Sequence, residues 1–89
     1  MYLRNKTLTV DNQVIKLVNQ QFPEREASRV LSELYKLSLD QALRRQPTNL
    51  LNTHLAILKL AKGDPSQVCN YVESAQKDFR DVIFWASDQ

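Results

Sequence analysis

Apolar side chains recur every three or four positions along almost the whole chain, and runs alternating every second position are nearly absent, so the pattern predicts helices. Val10, Val14, Leu17 and Val18 share one face. Asp11 stands where an N-cap belongs, with Val10 and Ile15 placed as a hydrophobic staple across it, which predicts a first helix over about 12–21. Residues 2–10 alternate weakly, but a lone strand has no partner within the chain, so residues 1–10 are expected to be an ordered or frayed arm. Pro23 suits the first turn of a second helix, Glu24 and Glu26 sit near its positive end, and Ala27, Val30, Leu31 and Leu34 form its stripe. Ser38 followed three residues later by Gln41 reads as a capping box. That stops the second helix near Leu37 and starts a shorter one from Leu39 to about Arg45, with Pro47 as its terminator.

Thr48 or Asn49 can cap the next helix, over 49–61, whose apolar residues Leu50, Leu51, Leu55, Ile57, Leu58 and Ala61 cover a wide arc, with Leu60 on the far side. So wide an arc predicts packing on more than one side and a central position. Lys62-Gly-Asp-Pro-Ser-Gln67 is the strongest local signal. Gly63 can close one helix in the left-handed conformation, Asp64 can cap the next, Pro65 fits its first position and Gln67 its third. Beyond the turn, Val68, Val72, Ala75, Phe79, Val82 and Ala86 repeat at alternating spacings of four and three. One long helix satisfies that spacing, yet a break at Lys77-Asp78 is preferred, with Asp78 capping a last helix over 79–87 that carries Asp81 in its first turn. No long-period repeat is present. The expected fold is all-α: a compact orthogonal or irregular bundle of five to six short helices, in one domain spanning 1–89.

A chain of 89 residues has apolar material for one core and too little for two. The single Gly and three Pro leave no room for a low-complexity tract, and no segment approaches the roughly 20 apolar residues of a membrane span. Cys69 is the only cysteine, which rules out an intramolecular disulfide and makes the cytoplasm the expected compartment. The net charge of +2 is unevenly spread: ten cations against five acids give residues 1–62 a net +5, and residues 63–89 carry −3. Such a dipole can orient a partner or favour self-association.

Candidate chemistry is sparse. His54, the only histidine, is a potential general base, but on the apolar face of a central helix it reads as a packed residue. Cys69 lies five residues after the expected cap at Asp64 and reads as packing too. Asp78 and Asp81 flank Arg80 and would face one side of a helix, as a small enzyme could use, although capping, helix-dipole placement and a surface pair with Arg80 are the commoner explanation of such a pattern. Neither a metal-ligand spacing nor a glycine-rich phosphate loop occurs, so no cofactor is implied. Arg44, Arg45, Lys59 and Lys62 are the only cluster suited to nucleic acid, and no aromatic residue is interleaved with them. The most informative stretch is Phe79 to Trp85. There Phe79, Val82, Ile83 and Ala86 share the core stripe, Trp85 lies at its margin and Phe84 points nearly the opposite way. An exposed Phe84 beside Trp85, with Arg80 and Asp81 a turn away, has the composition of an interface anchor.

The stretch Leu55-Ala-Ile-Leu-Lys-Leu-Ala-Lys-Gly-Asp64, followed by Val72 through Asp78-Phe-Arg-Asp-Val-Ile-Phe-Trp-Ala86, resembles a family of small uncharacterised bacterial proteins of cyanobacterial type. The likeness covers about the last 35 residues. Phe79 stands where that family's pattern has tyrosine, so no role for a phenolic hydroxyl carries over. The resemblance implies a bacterial, cytoplasmic, helical protein and brings no activity with it.

These readings converge on a small interaction or regulatory module that binds another protein or itself as a homo-oligomer, without membrane insertion. The alternatives are a nucleic-acid-associated protein using Arg44, Arg45, Lys59 and Lys62, and an enzyme using Asp78, Asp81 and Arg80.

Overall fold

Five α-helices and one 3-10 turn follow one another along residues 10–88, the part of the chain that the computed structural model describes. They are α1 (Asn12–Gln21), α2 (Glu24–Lys36), the 3-10 turn Leu37–Leu39, α3 (Gln41–Arg44), α4 (Pro47–Ala61) and α5 (Pro65–Ser87). No strand occurs among the described residues. The all-α expectation holds, whereas the arm proposed for the N-terminus lies outside the described residues except for Val10, which is buried.

Aspartates cap α1, α3 and α5, whereas α2 and α4 start beside a proline with no side-chain cap. Asp11 accepts a bond from the Gln13 N–H at 2.8 Å, so α1 begins where its cap predicts. Pro23 sits just before α2 in extended backbone, one position earlier than expected, and Glu24 and Glu26 occupy the first turn.

Two expected boundaries are corrected. Ser38 does not cap a helix: its hydroxyl donates to the Tyr35 carbonyl at 2.6 Å, and Asp40 caps α3 by accepting from the Ala42 and Leu43 N–H groups. A carboxylate beside two open N–H groups is a stronger acceptor than a hydroxyl already committed to the preceding turn. Pro47 opens α4 instead of terminating α3, which places Thr48 and Asn49 inside the helix. Proline tolerates either role, because the first helical position needs no N–H.

Between α4 and α5 the chain turns through two left-handed residues, Lys62 (φ 51°) and Gly63 (φ 82°). The sequence pattern points only to the glycine. Asp64 then caps α5 by accepting from the Ser66 N–H at 3.0 Å and the Ser66 hydroxyl at 2.7 Å. This turn lays α5 along α4, the most extensive pairing in the molecule; α4 also meets α1 and α3, and α5 packs on α2. A radius of gyration of 12.0 Å matches the roughly 12 Å of one compact unit this long.

The central position of α4 follows from this packing. Leu50, Ala56, Ile57, Leu58 and Ala61 are buried along it, each large side chain removed from water contributing about 1.5–3 kcal/mol. Thr53 and His54 are buried in the same helix, and each has a partner. The Thr53 hydroxyl donates to the Asn49 carbonyl at 2.7 Å, and His54 Nε2 lies 2.8 Å from the Leu34 carbonyl of α2. In the tautomer that donates from Nε2, His54 ties α4 to the last turn of α2.

Burial pushes the His54 imidazole below its ordinary value, and the bond to Leu34 opposes that only in part. The folded state therefore holds it neutral while the unfolded chain protonates it. Stability in urea should be level above about pH 6.5 and should fall as pH drops below that value, because the unfolded state then binds the extra proton. His54→Ala should remove this pH dependence and cost about 2–3 kcal/mol at pH 8, through the cavity and the lost donor. Equal acid sensitivity in the two proteins between pH 6.5 and 5 would count against the neutral buried imidazole.

Candidate functional site

Helix α5 breaks at Asp78, whose backbone (φ −160°, ψ 103°) is extended. Asp78 Oδ1 accepts the Arg80 N–H at 3.0 Å, the bond of an N-cap to the second residue of a new helical segment. The preferred break is thus the one observed, and residues 79–87 form a separate arm of α5. Its stripe is seated in the core, with Val82 and Ala86 buried and Phe79 and Ile83 packed against them.

The opposite side of the arm faces water. Phe84 is 68% exposed and Trp85 41%, as expected for a residue two positions from Val82 and another at the stripe's margin. Ser87 holds the last turn by donating its hydroxyl to the Phe84 carbonyl at 2.8 Å. Trp85 also meets Tyr71 across the break, with ring centroids 6.4 Å apart and planes tilted by 59°. Two residues 14 positions apart on a straight helix would be about 21 Å apart along its axis. The arm therefore folds back sharply, and the aromatic surface comprises Phe84, Trp85 and the half-buried Tyr71.

Arg80 grips Asp78 with two parallel bonds, Nε to Oδ1 at 3.0 Å and Nη2 to Oδ2 at 3.1 Å. Those bonds hold the Asp78 carboxyl below the usual carboxylate range and raise the Arg80 guanidinium. Asp81 is exposed one turn before Phe84 and Asp88 one turn after it, so exposed acids flank the ring. Leu39 is a further exposed apolar side chain, at 61%, which the periodicity does not reveal. It follows the buried Leu34 by five positions, about 140° round a helix from the stripe of α2, and lies at the end of the 3-10 turn.

The catalytic constellation does not assemble. Asp78 and Arg80 form a pair at the surface and Asp81 projects into water, while His54 is 1% exposed in the core with its Nε2 bound to a carbonyl. Among the described residues no three His, Cys, Asp or Glu side chains gather to hold a metal ion. An open depression lined by Asn12, Gln13, Ile15 and Lys16 lies along one stretch of α1 and includes none of these groups.

The basic cluster is dispersed as well. Arg44 ends α3 and Arg45 follows it, just before α4, whereas Lys59 and Lys62 lie at the far end of α4, so the length of that helix, about 20 Å, lies between the pairs. Comparisons with family models, curated proteins and solved structures give no match.

Two cations at each end of α4 cannot act as one phosphate-tracking stripe. Retention on heparin at about 0.15 M salt should be weak, and the double substitution Arg44→Glu, Arg45→Glu should lower it no more than the same reversal at the exposed Arg25 and Arg29. Strong, salt-sensitive retention that the double variant abolishes would restore the nucleic-acid reading.

Proposed function

We propose that this chain is a small protein-interaction module whose binding element is the outer face of residues 79–88. The observation that carries the reading is Phe84, a large ring 68% exposed beside a partly exposed Trp85 on an arm whose other side is anchored in the core. Aromatic side chains on a rigid support bind at low entropic cost, because the side chain has few rotamers to lose and the backbone is already ordered. The cap at Asp78, the stripe through Val82 and Ala86 and the Ser87 bond supply that rigidity.

Charge narrows the partner's chemistry. With Arg80 engaged by Asp78, the exposed acids a turn from Phe84 are Asp81 and Asp88, so the matching surface is an apolar pocket rimmed by cations. The acidic balance of residues 63–89 against the basic remainder orients such a partner toward this end. Self-association is the same proposal with the pocket supplied by another copy. The lone Cys69 and the likeness to small bacterial proteins favour a cytoplasmic setting; among the described residues no helix is long and apolar enough to cross a membrane.

The test compares tagged wild type, Phe84→Glu and, as a surface control, Arg29→Glu from the exposed side of α2, each purified from the host cell and examined by light scattering. A specific partner, or a second copy, should be held by wild type and by the control and released as salt rises. Phe84→Glu should lose it, weakening binding by about 2 kcal/mol or more, as an anchor residue does. Three identical capture profiles from a wild type that stays monomeric when concentrated would remove the reading.

A further inference from the structure

The apolar stripe of α5 does not change phase where the helix breaks. Val68, Val72 and Ala75 lie before Asp78, and Phe79, Val82 and Ala86 after it, yet the six are spaced 4, 3, 4, 3 and 4, the repeat of one uninterrupted amphipathic helix. Two helices joined by a corner have no need for a shared phase. Only one residue, Asp78, departs from helical backbone, and its departure is held by bonds at the surface: its carboxylate to the Arg80 N–H and to the Arg80 guanidinium. No buried side chain blocks a change there, since Lys77 is exposed and Asp78 partly so.

We infer that Asp78 is a hinge through which two copies of this chain exchange residues 79–87, α5 straightening in each so that its terminal arm packs on the other copy's core. The second copy fits because it offers the surface the arm has left: the same site for Val82 and Ala86, and the same Tyr71 ring for Trp85. Exchange of an identical element recreates the interior contacts, so the difference between the two states is confined to the hinge and to the entropy of association. At the hinge the straight form regains backbone bonds across the break and gives up the Asp78 cap. Concentration decides the balance. The exchanged pair also displays two copies of the Phe84–Trp85 face, which would give the proposed module two-point attachment.

The experiment removes the cap without touching the core. Asp78→Ala should lower the dimer dissociation constant by roughly 30-fold, since two hinges are relieved per dimer, and Asp78→Asn, which keeps a capping side chain, should change it little. Exchange is separated from side-by-side pairing by spin labels on Glu73→Cys and Ser87→Cys in a Cys69→Ser background, diluted into unlabelled chain. In the Asp78→Ala dimer the labels should lie as far apart as a straight helix puts them, about 21 Å along its axis, and in the monomer closer together. The dimer should survive Phe84→Glu, which keeps this inference distinct from the interaction reading. An Asp78→Ala protein that stays monomeric, that dimerises with the monomer's label distance, or that loses far-UV helicity would overturn the exchange.

Discussion

A helix that is apolar over most of its circumference must be covered on several sides, and any polar group it carries inward must find a partner there. Helix α4 imposes both demands. Its neighbours α1, α3 and α5 meet the first, and the bond from His54 to the Leu34 carbonyl meets the second while fixing α4 against the end of α2. That carbonyl lies in the turn where α2 tightens into the 3-10 segment and also accepts the Leu37 N–H, so the imidazole marks where α2 must end. Ser38 and Thr53, the other buried polar side chains, close their bonds locally on Tyr35 and Asn49. The interior is thereby left without an unpartnered polar side chain among these three, as a marginally stable domain of this size requires.

What was legible in the sequence is what depends on local chemistry and periodicity. Asp11, Asp64 and Asp78 each cap a helical segment, and the wide arc of α4 correctly reads as a central helix. The errors fall where two local signals compete. Ser38 and Asp40 both suit a cap, and the outcome turned on which side chain was already engaged by the preceding turn. Pro47 can end one helix or open the next, and only the packing of α4 selects the second role. Contacts distant in sequence carry no periodic signature, which is why the Leu34 partner of His54 and the Tyr71 partner of Trp85 emerge only from the fold.

The candidate site illustrates the same division. That Phe84 stands outside the core stripe follows from helix geometry, because two positions beyond the buried Val82 it is turned about 200° around an arm that packs on one side only. That its support is rigid and its nearest cation, Arg80, is already engaged depends on the break at Asp78 and on the grip of Arg80 on that carboxylate. The dispersal of the four cations is likewise a consequence of where α4 begins and ends. Structure thus sharpens a preference the sequence already carried: the aromatics gather on one arm, and the basic side chains are held apart by a helix.

Native-state hydrogen exchange tests most directly the claim that α4 is the fixed centre and the terminal arm a separately held part. Amides of Ile57, Leu58 and Ala61, with those of α5 preceding Asp78, should exchange only through global unfolding and track its dependence on denaturant. Amides near Val82 to Ala86 should open at lower free energy with a smaller denaturant slope. Uniform protection across α5 through the break, or faster exchange in α4 than in the arm, would contradict the account.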